Sequence, residues 1–190
     1  MCFYITATIP NKTDLDKIRT TLDQFEMAFI PIHNDSVSSQ LRAGDIYLRA
    51  TKSYCDCGTM LGSLNRQNEY QTLLNSKKIK TLRKKKWTDE EIDSWITQKL
   101  QNKKKKSGGH LTIFETKEGS KKWNLFIQAI LNSSSIKYIG ILKHWYEGGL
   151  ENEKITLKEI QKTNFNEVTT EFLLNMEEDI LYEFYIPYQT

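Results

Sequence analysis

Thirty residues in the middle of this chain are too charged to supply the strands of a sheet. Between Lys77 and Lys106 stand twelve Lys or Arg against four acids, a local charge of +8. Ionised side chains are costly to bury unpaired, so such a block stays at the surface. The apolar residues that build a sheet must therefore come from its two flanks. Residues 1–66 and 110–190 are expected to form the main body, and 67–109 reads as a basic helical insertion between them.

The first flank alternates element types. Phe3 to Ile9 is rich in β-branched and aromatic residues and stops at Pro10-Asn11, which predicts a strand and a turn. Thr13 with Asp16 resembles a capping box, and Leu15, Ile18, Leu22 and Phe25 then share one helical face. Met27 to Ile32 reads as a second strand, Asn34 to Ser39 as a polar loop, and Asp45 to Thr51 as a third strand. The order is β-α-β-β.

In the insertion, a helix from Tyr70 runs into the lysine cluster. A second starts at the capping box Thr88-Asp89-Glu90-Glu91 and carries the stripe Ile92, Trp95, Ile96 and Leu100. The second flank predicts a similar β-α-β-β order: a strand 110–115, a helix 120–131, and strands 136–146 and 154–160. A short helix 169–178 and an aromatic strand 180–188 follow. The expected class is α+β, a mixed sheet built from β-α-β-β (ferredoxin-like) units with an inserted basic helical pair.

Three cysteines supply the candidate chemistry. Cys2 opens the first strand, while Cys55 and Cys57 flank Asp56 just after the third. If the first and third strands pair antiparallel, the end of one lies beside the start of the other, which brings the three thiols to one sheet end. His33 then lies at the opposite end and is excluded. Converging thiols suit Zn²⁺, with His110, His144 or Asp56 considered for the fourth position and His110 preferred. The same residues define an alternative, a cysteine-dependent hydrolase or amidotransferase using Cys2, Cys55 or Cys57 with His144 as base. The Met1-Cys2 start resembles that of class II glutamine amidotransferases over these two residues, which implies an N-terminal Cys2 nucleophile after loss of Met1.

Charge points elsewhere. Lys77, Lys78, Lys80, Arg83, Lys84, Lys85, Lys86, Lys103, Lys104, Lys105 and Lys106 form a candidate nucleic-acid surface, with Trp87 a candidate stacking face. Trp95 shares the apolar stripe and is expected to be buried. From Glu147 to Thr190 ten acids stand against three lysines, so an acidic C-terminal region is a candidate contact for a basic protein. No P-loop, zinc-finger spacing or helix-turn-helix pattern accompanies these features. No run approaches the roughly 18 apolar residues of a bilayer span, and an odd cysteine count with a Cys-x-Cys pair suits a reducing, cytoplasmic setting. The leading expectation is a non-enzymatic accessory or inhibitor protein, compatible with a phage or plasmid anti-defence role, that engages nucleic acid or a nucleoprotein through the basic insertion. A zinc-stabilised protein-interaction module is a further alternative.

Overall fold

The computed structural model describes residues 2–57, 59–62, 73–74, 76–106, 113–133 and 136–187, and of 100–106 and 113–117 the backbone alone. The chain divides into two compact units, residues 1–63 with 113–190, and residues 64–112. In the first unit, strand β1 (Cys2–Pro10) is followed by helix α1 (Leu15–Gln24), β2 (Met27–Pro31), the one-turn α2 (Asp35–Ser38) and β3 (Asp45–Thr51). After the second unit come helix α5 (Ile113–Asn132), β4 (Tyr138–Tyr146), β5 (Glu159–Asn164), a short α6 (Thr170–Leu174) and β6 (Ile180–Tyr185). The fold is α+β.

One mixed sheet of six strands runs in the order β2-β3-β1-β4-β6-β5, antiparallel throughout except for the parallel pair β5–β6. β1 is central, with Thr6 opposite Arg49 of β3 on one side and Leu142 of β4 on the other. Side chains alternate between faces. Phe3, Ile5, Ala7 and Ile9 point one way and are buried. The helices α1 and α5 contribute Ile18, Leu22, Trp123, Phe126, Ile127 and Ile130 to the core, and Phe126 meets the ring of Phe29 on β2 at 5.8 Å. On the other face Tyr47, Leu142, Tyr146 and Leu181 pack with Ile32, Val37 and Ile155. The two tyrosine hydroxyls there are 2.6 Å apart. Because both faces are covered, β3 buries Tyr47, Leu48, Ala50 and Thr51 instead of alternating in and out.

Four local expectations are corrected. Asp14, not Thr13, caps α1: its carboxylate accepts from the Asp16 N–H at 3.1 Å, while Thr13 turns inward. The segment 34–39 is not a loop, because Asn34 accepts from the Val37 N–H and starts α2. The expected strand 110–115 is not formed over 113–115. Those residues open the twenty-residue α5, whose long apolar repeat extends backwards over a short β-favouring run. Among the described residues no strand precedes α5 to open a second β-α-β-β unit, and 110–112 lie outside them. The strand expected at 154–160 begins only at Glu159, since Ser36 and Gln40 of the α2 region take the backbone of Ile155 and Leu157 instead.

The second unit holds α3 (Lys77–Lys84) and α4 (Asp89–Lys106). Its own apolar cluster is Ile79, Leu82, Ile92 and Ile96, with Leu73, Leu74 and Trp95 against it. The capping box forms as expected: Glu91 accepts from the Thr88 N–H at 2.8 Å and Thr88 Oγ1 from the Glu91 N–H at 3.2 Å. Trp95 is half-buried, with Lys99 Nζ 4.7 Å from its ring centre.

Gly140 on β4 marks the tightest packing of the sheet. A Cβ there would lie 2.1 Å from Thr8 Oγ1 and 2.9 Å from Leu181 Cδ1. Gly140→Ala is expected to lower the unfolding free energy by about 1–3 kcal/mol, measured by urea denaturation.

Candidate functional site: a three-thiol corner

β3 stops pairing with β1 at Arg49, which leaves the first residues of β1 with an open edge. The loop after β3 returns to close it. The Asp56 N–H donates to the Phe3 carbonyl at 2.9 Å, and the Ile5 N–H donates to Asp56 Oδ2 at 2.8 Å. Thr51 Oγ1 donates to the same carboxylate, 2.9 Å from Oδ1 and 3.1 Å from Oδ2. The side chain thus stands in for a missing strand carbonyl. Asp56 is wholly buried, and burial pushes its acidity to higher pH, while the Ile5 N–H, the Thr51 hydroxyl and the Arg49 charge pull it back.

The rest of the loop is knotted onto Asp56. Thr59 donates to the Asp56 carbonyl from both N–H and hydroxyl, each at 2.8 Å, and the Gly62 N–H donates to Thr59 Oγ1 at 3.1 Å. Gly62 passes so close that an added Cβ would lie 2.0 Å from the Asp56 carbonyl oxygen. Met60 and Leu61 are buried beside it. Gly119 of α5 leaves room for Met60, whose Cβ would lie 2.9 Å from an alanine Cβ at that position.

With Asp56 turned inward, its two neighbours turn to the sheet end. Cys55 and Cys57 there meet Cys2, and the three sulfur atoms lie within 4.8 Å of one another, all partly exposed and none in a disulfide. The Phe3 N–H donates to Cys57 Sγ at 3.1 Å. A backbone hydrogen bond from Cys57 holds the Cys55 thiol below its ordinary acidity range, helped by hydrogen bonds to the other two cysteines. Burial pushes Cys57 the other way, and the negative charge of a Cys55 or Cys2 thiolate adds to that. The two thiols that flank Asp56 are thus shifted in opposite directions.

The other sequence-derived site residues lie as follows. Asp56 is committed to β1 and does not join the thiols as a ligand. His110 lies outside the described residues. His144 on β4 is held through Nδ1, 2.5 Å from Asp179 Oδ1, and its Nε2 is buried without a partner. No hydrogen bond links it to any thiol among the described residues. Asp179, 35 residues further on in the sequence, sits at positive φ (66°) just before β6 and was not singled out by sequence reasoning. His33 is exposed beyond the edge strand β2, away from the thiols. Lys77, Lys78, Lys80, Arg83, Lys84, Lys85 and Lys86 are exposed. The side chains of Lys103, Lys104, Lys105 and Lys106 lie outside the described residues, though all four belong to α4. Glu183, counted with the acidic C-terminal region, is buried and paired with Arg42. No helix among the described residues is long and apolar enough to cross a membrane. No family model, curated protein or solved structure matches the chain.

Removing the Asp56 carboxylate leaves the buried Ile5 N–H without a partner, so Asp56→Ala is expected to cost about 2–4 kcal/mol of stability. Asp56→Asn keeps one carbonyl for Ile5 and should cost less. Burial weakens the acidity of Asp56. The folded state holds the Asp56 proton more tightly than the unfolded chain, so the contribution is full below the ordinary value of about 3.8 and is lost as pH rises through the raised value. The stability of the wild type relative to Asp56→Asn should therefore decline from acid towards neutral pH in paired denaturation curves.

Proposed function

We propose that the protein is a zinc-stabilised, non-enzymatic interaction module whose metal is held by Cys2, Cys55 and Cys57. The observation that carries this reading is the convergence of three sulfur atoms within 4.8 Å, contributed from positions more than fifty residues apart. With zinc–sulfur bonds of about 2.3 Å, tetrahedral geometry places sulfur atoms about 3.8 Å apart, so only a small contraction separates the three thiols from a ligand set. The amide donors at Cys55 and Cys57 support the thiolate form that a metal requires. A bound dication would also tie the start of β1 to the loop after β3, adding to the Asp56 clamp. The fourth tetrahedral position is left to a donor outside the three.

Cobalt titration of the reduced, metal-free protein tests this. One equivalent should produce thiolate-to-metal absorption in the near ultraviolet and visible bands of tetrahedral cobalt, and one equivalent of zinc should abolish both. Cys55→Ser should weaken binding by about two orders of magnitude or more, and lowering the pH should weaken it too, since metal entry releases thiol protons. Absence of these bands, with all three thiols equally reactive towards a disulfide reagent with or without zinc, would exclude the metal.

A further inference from the structure

The first lysines of α3 sit where they harm their own helix. Lys77 and Lys78 occupy a first turn that contains no acid, although a helix N-terminus carries positive partial charge and disfavours cations. At 3.6 residues per turn, Lys77, Lys78, Lys80, Lys84 and Lys85 fall on one arc, opposite the buried Ile79 and Leu82. Within it Lys77 and Lys80 are three apart and Lys80 and Lys84 four apart, spacings at which like charges repel. All five are exposed, and none joins an ion pair among the described residues. Arg83 differs, at 3.4 Å from Asp89. The unit has its own apolar cluster, to which these lysines do not belong. Lys84 and Lys85, at the C-terminal end of α3, suit the helix dipole, but nothing in the unit's own stability accounts for Lys77, Lys78 and Lys80.

A bound polyanion does account for them. We infer that the α3 arc binds the sugar–phosphate backbone of a nucleic acid, with Trp87 at its end as a stacking face. An eight-residue helix is about 12 Å long, and duplex DNA carries one phosphate per roughly 1.7 Å of axis. Four arc lysines over that length, with Lys85 at its C-cap, match a phosphate array. Phosphates near the start of α3 would also relieve the clash between Lys77, Lys78 and the helix dipole. Trp87 is 38% exposed, adjoining Lys85 and Lys86, and a base can stack on an indole regardless of sequence. This inference is independent of the thiol corner, which belongs to the other unit.

The test is fluorescence anisotropy of the full-length protein with labelled single- and double-stranded oligonucleotides of mixed sequence, from 50 to 200 mM salt. Five neutralised phosphates should make duplex affinity fall about 10²–10³-fold across that range. Lys80→Gln/Lys84→Gln/Lys85→Gln should lose more than tenfold at 50 mM salt and show a flatter salt dependence, whereas Lys137→Gln/Lys154→Gln should bind like the wild type. Lys77→Glu/Lys78→Glu should abolish binding while slowing amide hydrogen exchange in α3, because the same change removes the charge–dipole conflict. Loss through misfolding would speed that exchange. Binding that is absent, insensitive to salt or unchanged in the arc variants would overturn the inference, as would tighter binding of polyglutamate than of an oligonucleotide of equal charge.

Discussion

A single buried carboxylate organises the end of the sheet where the candidate chemistry lies. Asp56 accepts from the Ile5 N–H and the Thr51 hydroxyl, and its own N–H reaches the Phe3 carbonyl. Without it, β1 would present unpaired donors and acceptors where β3 has already turned away, a costly arrangement in a covered sheet. The inward turn of Asp56 also fixes the outward turn of Cys55 and Cys57. Thiol convergence is therefore a consequence of satisfying the backbone of β1, and Gly62 and Thr59 exist in their places to let the loop close that tightly.

The two units are held by different physics. The sheet unit covers both faces, one with α1 and α5 and the other with α2 and the segment before β5, and it pairs some of its inward polar groups with each other, as with Arg42 and Glu183 or Tyr47 and Tyr146. The helical unit is small, with Ile79, Leu82, Ile92 and Ile96 buried among its described residues and a surface crowded by like charge. In the first, charge serves the fold. In the second, the cations in the first turn of α3 oppose the helix dipole, and that is the pattern expected where a binding surface has been favoured over stability.

Periodicity made the first half of the sheet legible. Phe3 to Ile9, Met27 to Ile32 and Asp45 to Thr51 are short β-branched or aromatic runs bounded by turn residues, and each became a strand within a residue or two. The antiparallel pairing of β1 with β3, and with it the meeting of Cys2 with Cys55 and Cys57, follows from their order. The second half was less legible because its deciding interactions are remote. Ile113 to Glu115 looks extended in isolation but joins α5, and Ile155 looks like strand but is claimed by Ser36, more than a hundred residues earlier. Asp56 was visible only as an acid between two cysteines. A ligand and a clamp have the same residue type, and only the Ile5 and Thr51 donors distinguish them. Asp179 gave no local sign of its contact with His144.

The most direct measurement is zinc K-edge X-ray absorption on the reduced protein carrying one equivalent of zinc. The account expects a first shell dominated by three sulfur atoms at about 2.3 Å. A shell of nitrogen and oxygen alone, at about 2.0–2.1 Å, would contradict it and leave the three thiols as neighbours that serve no metal.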